Sequence, residues 1–129
     1  MTFEAIVFYP GKEGQVVSVS ENQFSEIVAG GYERTFNKHN IPNTVAIIHN
    51  EGALINLPYN RGYHGTFILV KEDDYGDNYL SFTGSEIKEI KKKLDNKKNF
   101  ASQNKFMERF FEEKEIAFTI FHYELVSLN

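Results

Sequence analysis

The chain lacks cysteine and tryptophan entirely. Without cysteine there is no disulfide framework, no zinc site with thiolate ligands and no cysteine nucleophile, a composition that suits an intracellular protein. Long apolar runs are also missing, since no stretch approaches the ~20 residues that a helix needs to cross a bilayer. Residues 1–6 show no basic segment followed by an apolar run, so we predict no signal peptide and expect a cytoplasmic protein without a membrane partner.

Positive charge is also in short supply: the chain has 14 Lys and Arg residues and 18 Asp and Glu residues, for a net charge of −4. Residues 1–85 carry five basic and ten acidic side chains, a balance of −5. Residues 86–115 carry nine and seven, a balance of +2, and Glu124 supplies the remaining −1. Nucleic-acid-binding domains usually show a basic footprint. The sequence therefore predicts an acidic body beside a mildly basic helical segment, with no direct binding to nucleic acid.

Strand formers and helix caps are plentiful, and they predict an α+β fold. Residues 3–9 alternate in the two-residue period of a strand, and a turn at 10–14 leads to a second strand at 15–19. Ser20 with Gln23, and Thr83 with Glu86, form capping boxes that begin helices. Further strands are predicted at 44–49, 53–57, 67–71 and 79–82, with an extended segment at 32–39 that packs through Tyr32 and Phe36.

The fold that these elements predict is a mostly antiparallel, curved sheet with one short helix after the second strand and two C-terminal helices before a last strand. We expect a single domain over residues 1–129, in which 96–129 is a helix–strand extension with its helix cap at Ser102 and its strand at 117–126. One helical face of the extension holds four large apolar side chains: Phe106, Met107, Phe110 and Phe111. Because a lone helix cannot hide that much apolar surface, we expect a homo-oligomer.

One polar stretch, residues 58–66, lies between two apolar runs and is the candidate ligand site. Arg61 offers a planar fork of donors that suits phosphate or carboxylate, and Gly62 and Gly65 allow a ligand to approach the backbone closely. The complete set predicted to bind a small anionic nucleotide-type ligand is Asn60, Arg61, Tyr63, His64, Gly65, Thr66, Phe82 and Arg109. In it Arg61 neutralises charge, Asn60, His64 and Thr66 donate or accept hydrogen bonds, Tyr63 or Phe82 stacks, and Arg109 is a second cation.

The same stretch also fits a purely structural turn, in which Pro58 and Asn60 set the geometry and Arg61 pairs with a nearby acid. Catalysis and metal binding have weaker support. The four histidines are far apart and lack the spacing of a metal motif, and no phosphate-binding loop sequence is present. We therefore predict no catalytic residues, no metal and no cofactor.

Several short motifs in this order resemble the family catalogued as domain of unknown function 3846. The motifs are Tyr9-Pro10-Gly11-Lys12, Ile27-Val28-Ala29-Gly30-Gly31-Tyr32-Glu33, Asn50-Glu51-Gly52, Asn56-Leu57-Pro58-Tyr59-Asn60-Arg61, Gly65-Thr66-Phe67 and Leu80-Ser81-Phe82-Thr83. The resemblance covers about residues 3–95, and Leu80 to Thr83 departs from the more typical Leu-Thr. It implies a phage, plasmid or other mobile-element context and no known activity.

Three functions stay open at this point. The first is a non-catalytic phage or mobile-element protein that counters a host defence by sequestering a nucleotide-type signal. The second is an acidic inhibitor that imitates nucleic acid and occupies a host nuclease, and the third is a small hydrolase. A pocket at Arg61 would favour the first. Alignment of Glu51, Asp73, Asp74 and Asp77 on one face at the spacing of phosphates would favour the second.

Overall fold

A computed structural model describes residues 1–96 of the protein. Its elements in chain order are β1 (Phe3–Phe8), β2 (Gln15–Val19), a 3-10 turn (Glu21–Gln23), α1 (Phe24–Val28), β3 (Tyr32–Phe36), β4 (Thr44–His49), β5 (Tyr59–Asn60), β6 (Tyr63–His64), β7 (Phe67–Glu72), β8 (Tyr79–Leu80) and α2 (Gly84–Leu94). They form a mostly antiparallel sheet with short helices, as the sequence predicts. The helix predicted at Ser102 and the strand at 117–126 lie outside the described residues. No helix within residues 1–96 is long and apolar enough to span a membrane.

The main sheet has the strand order β2-β1-β7-β4-β3, and every neighbouring pair is antiparallel. Strand β8 pairs with the end of β7, beyond the part of β7 that pairs with β1. Strands β5 and β6 form a separate two-stranded hairpin. The sheet is not strongly curved, which corrects the predicted curvature. Apolar side chains are buried on both of its faces, so it need not curl around a single core.

The two faces of the sheet support two apolar layers, because successive side chains of a strand point to opposite faces. Along β1, Phe3, Ala5 and Val7 belong to one layer, and Ile6 and Phe8 belong to the other, as predicted from the alternation. The first layer also includes Val19, Phe24, Val28, Ile47, Ile68 and Val70, and α1 covers it. The second includes Ala46, Tyr63, Phe67, Leu69, Phe82, Ile90 and Leu94, contributed in part by α2 and the β5–β6 hairpin.

Both helix starts follow their capping boxes, and α1 ends at a left-handed residue that is not glycine. Thr83 Oγ1 accepts from the Glu86 N–H at 3.2 Å, and Glu86 Oε1 accepts from the Thr83 N–H at 2.9 Å. At the end of α1 the left-handed residue is Ala29, with φ 65°, and not Gly30. Gly30 is needed for a different reason, since a Cβ there would lie 2.3 Å from Nε2 of the buried His49.

One predicted strand and one aromatic side chain are exposed, although the sequence predicts that both pack. Residues 51–56 form turns and not a returning strand, and Leu54 is 86% exposed. The reason is that β4 already pairs with β3 on one side and with β7 on the other, so no edge is left for residues 53–57. Phe36, expected to pack, is 90% exposed at the end of the edge strand β3.

Candidate functional site

The 58–66 stretch folds as the β5–β6 hairpin, with Asn60 paired to Tyr63 across a two-residue turn. Its central residues, Arg61 and Gly62, have φ of 52° and 99°. A type I′ hairpin turn needs positive φ at both central positions, and its twist matches that of the strands. Glycine adopts this conformation freely, whereas arginine does so at a cost of the order of 1 kcal/mol. The side chain of Arg61 makes contacts that offset that cost.

The guanidinium of Arg61 is turned into the protein, where it donates to backbone carbonyls from distant parts of the chain. Nε donates to Leu94 O, in the last turn of α2, at 2.9 Å. Nη1 donates to Tyr9 O at 3.3 Å, and Nη2 donates to Lys12 O. Because Tyr9 and Lys12 lie in the connection between β1 and β2, this side chain ties the β5–β6 hairpin to that connection and to the C-terminus of α2.

Ion pairing and burial complete the environment of Arg61. Its Nη2 lies 3.0 Å from Asp95 Oδ1, and both side chains are almost fully buried. Burial lowers the pKa of Arg61, while the neighbouring Asp95 carboxylate raises it. The guanidinium carbon also lies 5.1 Å from the ring centre of Phe8. This is the structural turn that the sequence allowed as the alternative, and it gives no support to an anion site at Arg61.

Asn60 and Tyr63 serve the same architecture. Asn60 Nδ2 donates to Phe8 O at 2.9 Å and to Gly65 O at 3.0 Å, and its Oδ1 accepts from Arg61 Nη1 at 2.8 Å. The Tyr63 hydroxyl accepts from the Lys38 N–H at 2.8 Å and donates to a carbonyl of β3. Burial raises the pKa of Tyr63. Both side chains are buried.

The other predicted ligand residues within residues 1–96 are all partly or fully buried. His64 is half-buried, with Nδ1 3.0 Å from Leu57 O. Gly65 has φ 87°, and its N–H donates to Pro58 O at 2.7 Å. Thr66 is half-buried, and Phe82 is a buried member of the second apolar layer. Arg109 lies outside the described residues.

A surface cavity of about 240 Å³ opens elsewhere, beside the connection between β7 and β8. It is lined by Met1, Phe3, Glu21, Arg34, Gly76, Asp77, Asn78 and Tyr79. The rings of Phe3 and Tyr79 stack with centres 5.0 Å apart and form its aromatic wall. The Arg34 guanidinium lies over the Tyr79 ring, 5.4 Å from its centre, and is ion-paired with Glu72.

Two carboxylates make the rim of this cavity acidic. Within residues 1–96 neither Glu21 nor Asp77 forms an ion pair, whereas the one arginine of the lining is already paired with Glu72. Burial raises the pKa of Tyr79; Arg34 lowers it, and Glu21 raises it. The lining therefore carries two carboxylates without an ion pair among the described residues, next to an aromatic wall.

The turn between β7 and β8 holds its acids in a fixed arrangement. Asp73 Oδ1 accepts from the Asp77 N–H at 2.9 Å, and its Oδ2 accepts from Asn78 Nδ2 at 2.9 Å. These hydrogen bonds lower the pKa of Asp73. Asp74 accepts from Asn43 Nδ2 at 3.2 Å. We call Glu21, Asp73, Asp74 and Asp77 the acidic end.

Glu51 does not belong to the acidic end. It lies two residues after the end of β4, whereas Asp73 and Asp74 directly follow the end of β7, which is antiparallel to β4. The two groups therefore lie at opposite ends of the sheet, and the four acids proposed from the sequence do not line up on one face. In the described part of the chain, no three His, Asp or Glu side chains are grouped closely enough to hold a metal ion.

Comparison with known proteins assigns most of the chain to a family. The model of the family "Domain of unknown function (DUF3846)" matches residues 1–95. The chain belongs to this family. No curated protein and no solved structure matches it. The matched range of this DUF3846 domain ends at Asp95 and so includes both Arg61 and its buried ion-pair partner.

The cavity residues of the DUF3846 domain were missed from the sequence. Glu21, Arg34 and Tyr79 come from three separate segments, and none is part of a recognisable motif. One signal could have pointed to Arg34 as a cavity residue: in the alternation of the extended segment it lies on the same face as Tyr32. The acids at 73–77 were named from the sequence only as part of a possible nucleic-acid mimic together with Glu51, and not as neighbours of a cavity.

Proposed function

We propose that this protein is a non-catalytic binding protein that docks its acidic end on a basic surface of a partner macromolecule. One observation carries the proposal: Glu21 and Asp77 line the same cavity without an ion pair among the described residues. Acids that merely keep a surface soluble have no reason to meet beside an aromatic wall. Here they meet next to Phe3 and Tyr79, which offer a face on which the stem or the cation of a basic side chain can pack.

The hydrogen bonds of the β7–β8 turn support this function energetically. Because Asp73 accepts from the Asp77 N–H and from Asn78, the turn is ordered before a partner arrives. A preordered surface loses little conformational entropy on binding. Complementary charge steers association and favours one class of partner over others. A basic partner would thus be recognised mainly through Asp74, Asp77 and Glu21.

The class of partner follows from this chemistry together with the family resemblance. Basic surfaces are characteristic of proteins that bind nucleic acids. In the mobile-element context that the resemblance implies, the partner is a host defence protein such as a nuclease. The acidic end then occupies part of the surface that the nuclease uses for phosphates.

A capture experiment with matched charge variants tests this function. The protein and its triple variant Glu21→Gln/Asp74→Asn/Asp77→Asn are immobilised and exposed to extract from host cells at about 0.15 M salt, and the bound proteins are identified by mass spectrometry. We expect the wild type to retain basic nucleic-acid-binding proteins, because screening at this ionic strength still leaves contacts within ~8 Å effective. Capture by the triple variant should fall at least about tenfold, and duplex DNA should compete with capture by the wild type.

The control removes the same charge from other parts of the surface. The triple variant Glu13→Gln/Glu26→Gln/Glu51→Gln changes three exposed acids outside the cavity. It should capture the same proteins as the wild type. Equal losses for both triple variants would mean that only net charge matters, and they would refute a role for the acidic end.

Binding of a nucleotide-type ligand is the second candidate function. The cavity is a better candidate site for such a ligand than the buried Arg61. Arg34 is half-exposed and lies beside the stacked rings of Phe3 and Tyr79, a combination that offers a cation and a stacking face. Calorimetry with a panel of linear and cyclic nucleotides tests it. We expect binding by the wild type that Arg34→Ala weakens at least about tenfold, as loss of a charge-assisted contact does. Absence of heat for every nucleotide would eliminate this candidate.

A further inference from the structure

Strand β3 is an edge strand whose outer side has no partner among residues 1–96. Natural edge strands are commonly protected by proline, lysine or a bulge. The sequence of β3, Tyr32-Glu33-Arg34-Thr35-Phe36, contains neither residue, and its pairing with β4 is continuous. It ends in Phe36, whose side chain is 90% exposed. An edge without proline, lysine or a bulge that carries a largely exposed aromatic side chain is suited to pairing with another strand, and Glu33 and Arg34 are the only charged residues that β3 contributes to it.

The hydrogen bonds to β4 determine which backbone groups of β3 point outward. The Asn50 N–H donates to Gly31 O at 2.9 Å, in register with the pairing of Tyr32 with His49. Because an antiparallel strand directs alternate residues to each side, Glu33 and Thr35 bond β4. The N–H and C=O groups of Arg34 and Phe36 therefore face the open side. The Phe36 carbonyl already accepts from the Tyr63 hydroxyl, and its second lone pair can accept another bond.

A second copy of the same strand fits this edge better with the two-fold axis at Thr35 than with the axis at Arg34. When two identical strands pair antiparallel about a two-fold axis, side chains that face each other lie on the same face of the sheet. With the axis at Arg34, two guanidinium groups would lie directly opposite each other, which is unfavourable. With the axis at Thr35, Arg34 of one copy lies opposite Phe36 of the other, twice. The outward groups of Arg34 and Phe36 then exchange four backbone hydrogen bonds.

We propose that two copies of this chain pair through β3, antiparallel and centred on Thr35, to form one sheet that is continuous across the dimer. Each Phe36 is covered by the aliphatic stem of the partner copy's Arg34. The opposite edge is less suitable. The Asp95 carboxylate accepts from the N–H of Gly14, just before β2, so Asp95 already lies beside that edge. This inference does not use Glu21, Asp73, Asp74 or Asp77, although Arg34 both lines the cavity and lies in β3.

Single cysteines test the register directly, because the chain has no cysteine of its own. In the proposed dimer the two Thr35 residues form a non-hydrogen-bonded pair, with Cα atoms about 4.5 Å apart, which a disulfide can bridge. The full chain with Thr35→Cys should therefore form a covalent dimer on mild oxidation. Glu33→Cys lies on the same face of the same strand, but its two copies would be roughly 13 Å apart and should not link. Equal linking of both variants, or no linking of Thr35→Cys, overturns the proposal.

Charge variants at Phe36 provide a second test that does not need oxidation. Phe36→Glu places a carboxylate opposite Arg34 of the other copy, whereas Phe36→Lys places a like charge there. Analytical ultracentrifugation of the full chain should show a wild-type dimer and a dissociation constant about tenfold higher for Phe36→Lys than for Phe36→Glu. Val16→Lys, at an exposed apolar position on β2, should dimerise as the wild type does. A monomeric wild type at about 100 µM, or equal effects of the two Phe36 variants, overturns the proposal.

Discussion

Replacing Arg61 with methionine is expected to lower the free energy of unfolding by about 3–5 kcal/mol, because it breaks a buried ion pair by removing one partner. Methionine matches the length of the arginine stem but donates no hydrogen bond. The carbonyls of Leu94 and Lys12 lose their Arg61 donors, and the Asp95 carboxylate loses its buried cation. The loss should appear in urea unfolding followed by far-ultraviolet circular dichroism.

Arg34→Met is the matched control for this measurement. Arg34 also forms an ion pair, with Glu72, but its side chain is 45% exposed, so its removal should cost about 1 kcal/mol or less. If Arg61→Met does not fold, Asp95→Asn provides a milder test, because it removes the charge and keeps an oxygen acceptor. Equal stability of the Arg61 and Arg34 variants would show that burial of Arg61 contributes little, and it would return the 58–66 stretch to consideration as a ligand site.

In a separate variant, replacing Phe24 with alanine is expected to lower the free energy of unfolding by about 3–5 kcal/mol. Phe24 is fully buried and is the centre of an aromatic cluster. Its ring makes edge-on contacts with Phe3, Tyr32 and Tyr79, with centres 6.2, 5.4 and 5.6 Å apart. Deleting the ring leaves a cavity and removes the support of Phe3 and Tyr79, which form the wall of the surface cavity.

Ile27→Ala is the matched control, because Ile27 is on the same helix but only partly buried. It should cost about 1–2 kcal/mol, a fraction of the value for a fully buried side chain. Thermal and urea unfolding of both variants measure the difference. A cost for Phe24→Ala no larger than that for Ile27→Ala would contradict the packing of this layer.

The parts of the fold that local patterns encode could be predicted from the sequence. Strand β1 carries its two-residue alternation wholly within residues 3–8, so its division between two apolar layers was visible. The start of α2 was visible because both members of its capping box, Thr83 and Glu86, are three residues apart. Such signals need no knowledge of the rest of the chain.

Other parts depend on contacts between distant residues and could not be predicted in this way. Arg61 bonds Leu94, Tyr9 and Lys12, which are 33, 52 and 49 positions away in the sequence. No local pattern separates an arginine that faces solvent from one that is turned inward. Residues 53–57 have the composition of a strand, but both sides of β4 were already occupied.

The candidate site shows the same limit. Its walls come from β1, the 3-10 turn, β3 and the β7–β8 turn, which the strand order brings together. The acidic turn was seen in the sequence as a surface feature. Its meeting with Arg34 and Tyr79 is a consequence of β3 and β8 lying near the same end of the sheet, which the order of elements along the chain does not reveal.

A double-mutant cycle between Arg61 and Asp95 tests most directly the claim that the arginine of the hairpin serves the fold and not a ligand. The free energies of unfolding of the wild type, Arg61→Met, Asp95→Asn and the double variant are compared under the same conditions. Buried partners in one network should couple by at least about 1 kcal/mol, so the double variant should be more stable than the sum of the single losses predicts. Strictly additive losses would contradict the claim.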